Sequence, residues 1–311
     1  MPKKPRNNAI DRLQYLGLRM LTMTTHSLPV GLTMRVAWFI GEMMYRFDKR
    51  HRDRAVYNLH KSFPCRRPHE LHKLARISFR MLVQLGAEVI FTPRLITLDR
   101  LHRHIELGDI GQALRLMVKR EEGVILLTGH YGNWEVLGYT LAVLGFETTS
   151  VARAMDNPYL NEFVLGVRQA KGQRIIDKKG AMAEAPRVLD DKGAVAFIAD
   201  QDAGKKGMFV DFFGRPASTY KSIGLLAMRY EVPVVIGYAR RVSDNFKFRL
   251  EVQDIIYPAD WKHLDDPLRY ITQRYTKALE DSIRGEPGQY LWLHRRWKSR
   301  PRDEAPEAAP R

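Results

Sequence analysis

The stretch Val124-Ile125-Leu126-Leu127-Thr128-Gly129-His130-Tyr131-Gly132-Asn133-Trp134-Glu135 sets the architecture of this chain. Its first five residues are apolar or β-branched and predict a buried strand. Gly129 and Gly132 bracket a turn, and the apolar residues after Asn133 predict a helix. His130 is therefore expected at the carboxyl end of a buried strand, where binding groups collect in open α/β sheets.

His130 and Glu135, five residues apart, are a candidate acid–base pair. A histidine presents one ring nitrogen as a base when a carboxylate holds the other. Five residues on one helix lie roughly 140° apart around the axis, so the pair forms only if His130 precedes the helix and Glu135 reaches back. The spacing alone equally suits a buried histidine followed by a glutamate that the helix dipole favours. It differs from the H-E-x-x-H pattern, so we predict no zinc site.

The bulk composition narrows the possible partners. The 311 residues, 45% of them hydrophobic, suffice for a core in one large or two modest domains. The net charge of +16 indicates an anionic partner: nucleic acid, an anionic membrane surface or a phosphorylated substrate. Cys65 is the single cysteine, which excludes an intramolecular disulfide and is compatible with a reducing compartment.

Residues 1–103 are predicted to form a helical, membrane-associating region. Leu13 to Phe47 is apolar, but charged residues and Pro29 interrupt it, which argues against a helix that spans the bilayer. Two helices around Pro29, lying in or on the membrane interface, fit better, and a soluble helical hairpin is the alternative. The cations between Lys49 and Arg54 suit anionic headgroups. Further helices are predicted at Arg54–Phe63 and Pro68–Phe91.

Residues 104–300 are predicted to form an α/β domain with a largely parallel central sheet flanked by helices. Helix-length segments separate the predicted strands, which are Val124–Thr128, Thr148–Ala152, Gln173–Asp177, Ala194–Ala199 and Val232–Tyr238. Phe246–Val252 alternates and is expected to pair antiparallel at an edge. Residues 301–311 are rich in Pro, Glu and Ala and are predicted to be disordered.

Polar residues follow several of these strands and should emerge at one edge of the sheet. They are His130, Arg153, Lys178/Lys179, Asp200-Gln201-Asp202 and Arg240/Arg241. For the two aspartates we prefer hydrogen-bonding and structural roles to metal ligation, because Lys205 and Lys206 follow directly.

Two further segments have open interpretations. Asp211–Thr219 is predicted as a turn leading into a helix from Tyr220 to Tyr230. Its amides, with Ser218, Thr219 and Lys221, could hold a phosphate, and helix capping is the alternative. Gln289–Lys298 mixes aromatic residues with cations, which suits base stacking or a headgroup interface, but no named nucleic-acid signature is present.

Several blocks together resemble the late lipid A biosynthesis acyltransferases (the lauroyl/myristoyl acyltransferases), a branch of the H-x4-D/E lysophospholipid acyltransferases. The resemblance covers about residues 10 to 301. The blocks are R-A-V-Y-N-L-H-K-S-F-P (54–64), T-G-H-Y-G-N-W-E (128–135), V-A-R-A-M-D-N-P (151–158), A-D-Q-D (199–202), V-D-F-F-G-R-P-A-S-T (210–219), V-P-V-V (232–235) and Y-L-W-L-H-R-R-W-K-S-R-P (290–301).

The resemblance implies a glycerolipid acyltransferase-like fold and a reaction. A fatty acyl chain would pass from a thioester donor, on acyl carrier protein or CoA, to a hydroxyl of a lipid A precursor in a ternary complex. Glu135 would orient His130 as the general base, and amides near Gly132 and Asn133, or Arg153, would stabilise the oxyanion. The implied site residues are His130 and Glu135 as catalytic groups and Asn133, Arg153, Asp200, Gln201, Ser218 and Lys221 as substrate-binding groups. No metal or redox cofactor is implied.

The resemblance also leaves alternatives. The same family includes enzymes that acylate mannosylated phosphoinositides, and an esterase or thioesterase could use the same His–Glu pair on water. A non-catalytic membrane- or nucleic-acid-binding protein is disfavoured by the intact H-x4-E. The expected partners are membrane lipid, a phosphorylated glycolipid and acyl carrier protein, but not nucleic acid. The expected location is the cytoplasmic face of the inner membrane.

Overall fold

The structure is a computed structural model that describes residues 8–178 and 180–301. Lys179 and nearly all of the tail that we predict to be disordered therefore lie outside the described residues. The helices are α1 (Asn8–Ser27), α2 (Val30–Phe47), α3 (Lys49–Ser62), α4 (Pro68–Leu95), α5 (Leu101–His104), α6 (Gly111–Lys119), α7 (Trp134–Val143), α8 (Pro158–Gln169), α9 (Ala181–Asp190), α10 (Ser222–Tyr230), α11 (Pro258–Trp261) and α12 (Pro267–Gly285). The strands are β1 (Ile105–Leu107), β2 (Val124–Thr128), β3 (Thr148–Ala152), β4 (Arg174–Asp177), β5 (Ala194–Ile198), β6 (Met208–Asp211), β7 (Pro216–Thr219), β8 (Val234–Ser243) and β9 (Lys247–Ile256).

Seven strands form the central sheet, in the order β1-β9-β8-β2-β5-β3-β4. All neighbours are parallel except β8 and β9. The predicted α/β fold with a largely parallel sheet is confirmed. The expected antiparallel partner, β9, is present, but its predicted place at an edge is wrong. Ile105 of β1 pairs with Phe248 and covers that side of β9.

The segment that we predict as a turn before a helix is a β-hairpin. β6 and β7 pair antiparallel, and the chain reverses between Asp211 and Pro216. Phe213 and Gly214 both adopt positive φ angles in that reversal, which a glycine tolerates without strain. The helix that follows, α10, begins at Ser222.

Two helices flank Pro29 as the sequence predicts, with α1 before it and α2 after it. One face of α2 packs tightly on α4: a Cβ at Gly41 would lie 2.6 Å from the Arg80 Cα. The opposite face leaves large apolar side chains exposed. Within the described ranges, no helix combines the length and apolar character that crossing a bilayer requires.

The C-terminal segment Gln289–Lys298 runs through the core. Tyr290 forms a β-bridge with Tyr131, and Leu291 N donates to the His130 carbonyl. Tyr290, Trp292 and Arg296 are buried. The base-stacking interpretation of this segment is wrong, since these rings have no free face for a nucleobase.

Candidate active site

The register of the sheet brings His130 and Asp200 together. β2 and β5 are parallel neighbours, and Thr128 pairs with Ile198. His130 comes two residues after Thr128, and Asp200 comes two residues after Ile198. Both therefore emerge side by side at the carboxyl ends of the strands. Ala199 N also donates to the Thr128 carbonyl, which extends the pairing to the point where the side chains diverge from the sheet.

Asp200 holds both the backbone and the ring of His130. Its Oδ1 lies 2.7 Å from His130 Nδ1, and its Oδ2 accepts from the His130 amide at 2.9 Å. Burial by itself would raise the pKa of Asp200, but the charge and hydrogen bonds of His130 outweigh it and hold that pKa below its usual range. An ionised carboxylate can only accept, so Nδ1 carries the proton and Nε2 is left with a free lone pair.

Glu135 does not hold the histidine in this structure. Its carboxylate forms a two-pronged ion pair with Arg168 of α8, at 2.8 Å to Nε and 2.5 Å to Nη2. It also accepts from the Trp134 indole at 3.1 Å. The expectation that Glu135 orients His130 is therefore corrected: the carboxylate on Nδ1 belongs to Asp200. Sequence spacing gave no sign of Arg168.

Three side chains surround the free side of the imidazole. The Gln201 amide Nε2 faces His130 Nε2 at 3.4 Å. The rings of Trp134 and His294 contact the imidazole edge-to-face, with centroids 4.6 Å and 4.7 Å away. Gln201, predicted as a substrate-binding residue, therefore lies next to the imidazole. His294 is a site residue that sequence reasoning missed, although it stands in one of the quoted blocks.

The turn after His130 is fixed by backbone contacts. Gly132 has φ +62°, and a Cβ there would lie 2.1 Å from the Ala239 carbonyl oxygen, so only glycine fits. Gly132 N donates to the Gln289 carbonyl, and Asn133 N donates to the Ala239 carbonyl. The interpretation of these two amides as oxyanion donors is wrong, because both are already bonded.

Asn133 is a buried structural residue of the site. Its Oδ1 accepts from the Glu135 and Val136 amides and so caps α7. Its Nδ2 donates to Glu88, which is fully buried and also pairs with Arg241. This network ties α4, β8 and the start of α7 together and leaves Asn133 no side-chain group for substrate.

Other predicted site residues lie elsewhere. Arg153 is 77% exposed and lies 3.4 Å from Asp156, and Lys221 is exposed before α10. Ser218 is fully buried and donates to the Gly204 carbonyl, so its interpretation as a phosphate ligand is wrong. Arg240 and Arg241 lie inside β8, not after it, and pair with carboxylates.

A largely apolar cavity lies between the sheet and the helices α6, α7 and α8. Trp134, Glu135 and Arg168 line it together with Thr128 at the end of β2. Its walls are otherwise mostly aliphatic and include Leu114, Met117, Leu126, Leu137, Leu141, Val151, Ile175, Ile198 and Val235. The Glu135–Arg168 ion pair and Glu251 therefore supply the charged groups on the wall of a mostly apolar cavity. Trp134, which contacts the His130 ring, lies on the same wall.

We expect His294 to make the fold sensitive to mild acid. Burial and the neighbouring His130 lower the pKa of His294 to about 4, from an ordinary 6.5. As the pH is lowered, the unfolded chain binds a proton at this histidine before the folded chain does. The free energy of unfolding should therefore decrease as the pH is lowered from about 6.5 towards 4. Melting temperatures across that range should show a shallower slope for His294→Asn than for the wild type.

The exposed His69 supplies the control for this measurement. His69→Asn should keep the wild-type slope. Asp200 does not confound the comparison, because a lowered carboxyl pKa removes stability only below the ordinary value of 3.8. Equal slopes for His294→Asn and wild type would show that His294 is not held neutral.

The chain is similar to several known acyltransferases. The lipid A biosynthesis lauroyltransferase of Escherichia coli is 27% identical over 297 residues, covering 93% of this chain and 92% of that protein. The lipid A biosynthesis palmitoleoyltransferase of Escherichia coli is 25% identical over 301 residues, covering 94% and 93%. A solved 1-acyl-sn-glycerophosphate acyltransferase from Thermotoga maritima is 12% identical over 84% of this chain and 97% of that chain, with a TM-score of 0.38.

Residues 3–299 match the family described as bacterial lipid A biosynthesis acyltransferase, which is nearly the whole chain. This agrees with the resemblance carried by the sequence blocks. Family membership makes the protein an acyltransferase and supports a role in lipid A acylation. The chain belongs to the bacterial lipid A biosynthesis acyltransferase family.

Proposed function

We propose that this protein transfers a fatty acyl chain from a thioester donor, acyl carrier protein or CoA, to a hydroxyl of a lipid A precursor. The observation that carries the proposal is His130: a buried carboxylate holds its Nδ1, its Nε2 faces the Gln201 amide, and its ring contacts Trp134 on the wall of the apolar cavity. The donor is a co-substrate, and the proposed chemistry uses no further cofactor.

In the proposed reaction His130 acts as general base. Nε2 takes the proton of the acceptor hydroxyl while the oxygen attacks the thioester carbonyl carbon. Asp200 stabilises the imidazolium that forms and keeps the ring in orientation. The tetrahedral intermediate then collapses, the carbon–sulfur bond breaks, and the imidazolium returns its proton to the leaving thiolate.

Arg168 replaces the turn amides as the candidate for charge stabilisation. The negative charge that develops on the thioester oxygen needs a donor in a water-poor place. Arg168 lines the apolar cavity and is held rigid by Glu135, so a guanidinium N–H is pre-positioned there. On this proposal Glu135 acts through Arg168, which keeps the family's H-x4-E pattern relevant to catalysis without a contact to His130.

We propose that the apolar cavity holds the acyl chain and limits its length. Leu141 lines it six residues beyond Glu135 on α7, roughly 9 Å along the axis. Leu141→Trp should therefore shift the preferred donor towards shorter chains, because the larger ring fills the space that the chain end needs. Competition between thioester donors of different length measures the preference.

Leu98 is the control for that substitution. It is 71% exposed and outside the cavity, so Leu98→Trp should leave the chain preference unchanged. A Leu141→Trp enzyme that is slower on all donors by the same factor would contradict the assignment of the cavity.

We further propose that α1 and α2 lie on the cytoplasmic face of the inner membrane. Their exposed apolar side chains include Leu13, Met20, Met23, Phe39 and Phe47, each more than 60% exposed. Contiguous exposed apolar surface of this kind indicates an interaction surface, and a basic chain favours an anionic one.

Replacing Phe39 and Phe47 by Ser should release the protein from vesicles that contain anionic lipid. Each exposed ring removed takes away on the order of 2 kcal/mol of burial in the interface. Vesicle co-sedimentation at low and high salt separates the apolar contribution from the electrostatic one. Ser substitution of Leu107, exposed on β1, should not change binding. Unchanged sedimentation of the double variant would contradict this orientation.

The function itself is tested by incubating the protein in detergent with a lipid A precursor and either donor. We expect a product heavier by one acyl group, identified by mass spectrometry. Release of free fatty acid without an acylated lipid would instead indicate an esterase or thioesterase. Acylation of a mannosylated phosphoinositide, but not of a lipid A precursor, would move the acceptor to that class.

A further inference from the structure

A second recess, of about 560 Å³, is lined by Gln201 and His294, two neighbours of the His130 ring. We call it the cationic cleft. Its walls come from α2, α3, α4, the loop after β5 and the C-terminal segment. The residues that line it are Met44, Asp48, His51, Arg54, Leu82, Gln201, Asp202, Leu291, Leu293, His294, Arg295 and Lys298.

The cleft lies next to His130. Gln201, whose amide faces His130 Nε2, is one of its walls, and so is His294, which contacts the His130 ring. Trp134, which also contacts the imidazole, lines the apolar cavity instead. Different neighbours of the His130 ring thus line the two spaces. In the proposed reaction, the acceptor hydroxyl would approach His130 Nε2 from the cleft, while the acyl chain of the thioester lies in the apolar cavity.

Permanent positive charge dominates the cleft. Arg54, Arg295 and Lys298 face two carboxylates that are already engaged. Asp48 accepts from the amide and ring of His51. Asp202 accepts from the Ser299 amide and hydroxyl and from the Gly204 amide. The lining therefore carries three permanent cations against two carboxylates, and donors outside these three cations hold both carboxylates.

Arg54 is the most informative of these cations. It is only 7% exposed, and its Nη1 donates to the Leu293 carbonyl at 3.3 Å. Its buried Nη2 has no hydrogen-bond partner among residues 8–178 and 180–301. Burial lowers the pKa of Arg54, and so do the nearby charges of Arg295 and Arg50. A buried cation beside further cations is costly, and an anion in the cleft would offset that charge.

We infer that the cationic cleft binds a phosphate group on the sugar headgroup of the acceptor lipid, through Arg54, Arg295 and Lys298. The inference rests on the proposed function for the identity of the acceptor. The surroundings also suit a lipid: Met44 joins the cleft to the exposed apolar face of α2, which ends at Phe47. An acceptor held in a membrane against that face has its headgroup beside the cleft.

The test is acceptor binding in detergent micelles without any thioester donor, so that no turnover occurs. The acceptor is a phosphorylated lipid A precursor, compared with the same lipid after phosphatase treatment. Lys298→Met should weaken binding of the phosphorylated lipid by about tenfold, the loss of one charge-assisted hydrogen bond. It should leave binding of the dephosphorylated lipid unchanged. Arg54→Gln should act in the same direction, with its melting temperature measured alongside.

The exposed Arg187 lies on α9 and outside the cleft. Arg187→Gln is the control and should bind both lipids like wild type. Lys298 is exposed, so its replacement tests the cleft even if Arg54→Gln fails to fold. Equal weakening of both lipids by Lys298→Met, or of neither, would overturn the inference.

A kinetic comparison separates this inference from the proposed function. If Lys298→Met raises the KM for a carrier-bound donor but not that for the acceptor, the cleft docks an acidic carrier protein and the inference is wrong. If the wild-type protein binds the lipid in a phosphate-dependent way but transfers no acyl group, the inference about the cleft stands and the proposed reaction is wrong. If it transfers an acyl group but binds both lipids equally, the proposed reaction stands and the inference about the cleft is wrong.

Discussion

His130→Gln should lose acyl transfer by about 10²–10⁴-fold, the range attributed to a positioned general base. The glutamine amide can still donate to Asp200, so the buried carboxylate keeps a partner. His130→Ala should lose as much activity but also stability, because Asp200 is then buried without its ring partner. Initial rates with saturating donor and acceptor, together with melting temperatures, distinguish the two effects.

The useful control is His72, a histidine that bonds to the Tyr45 hydroxyl away from the candidate site. His72→Gln should keep the wild-type rate. A His130→Gln enzyme that folds like wild type and transfers at a rate within a few-fold of it would reject His130 as the base. It would also remove the main support for the proposed reaction.

The proximity of His130 and Asp200 could be predicted from sequence, at least as a neighbourhood. Two buried strands that lie side by side in a parallel sheet must deliver the residues after them to one edge. The sequence indicated both strands and placed His130, Asp200 and Gln201 among the residues at that edge. It did not indicate which strands are neighbours, so the carboxylate closest in sequence, Glu135, was paired with His130 instead.

The helix start explains why that pairing fails. Asn133 caps α7, which makes Glu135 the second residue of the helix and directs its side chain to Arg168 on α8. Such a contact, 33 residues apart in sequence, leaves no spacing pattern. A cation in the last turn of a helix is favoured by the helix dipole at many surface positions. The sequence therefore did not distinguish Arg168 from an ordinary surface residue.

The burial of the C-terminal block, residues 290–301, was harder to predict from the sequence. Its aromatic and basic residues are typical of an exposed binding surface, and only tertiary contacts reveal that Tyr290 and Trp292 are buried. The bond from Leu291 N to the His130 carbonyl carries His294 to the imidazole. Two walls of the cationic cleft thus come from chain segments about 240 residues apart, Arg54 and His294, which local reasoning cannot join.

Asp200→Asn should lower kcat by on the order of 10³–10⁴-fold, as an aspartate-to-asparagine change beside a catalytic histidine does elsewhere. An amide nitrogen placed at Nδ1 would donate to it and move the ring proton to Nε2, where the base must be free. It also cannot offset the charge of the imidazolium. Acceptor KM should change little, because Asp200 is buried behind the ring. Steady-state kinetics on both substrates measure this split.

Glu135→Gln is the decisive comparison, because it changes the carboxylate that sequence spacing paired with His130. Its effect should be no larger than that of Arg168→Gln, and the double variant should be little worse than either alone, since the two residues form one unit. Asp200→Asn should instead add to both. If Asp200→Asn transfers at nearly the wild-type rate while Glu135→Gln is inactive, then Glu135 is the partner of His130 during catalysis. The Asp200 contact would then be only structural.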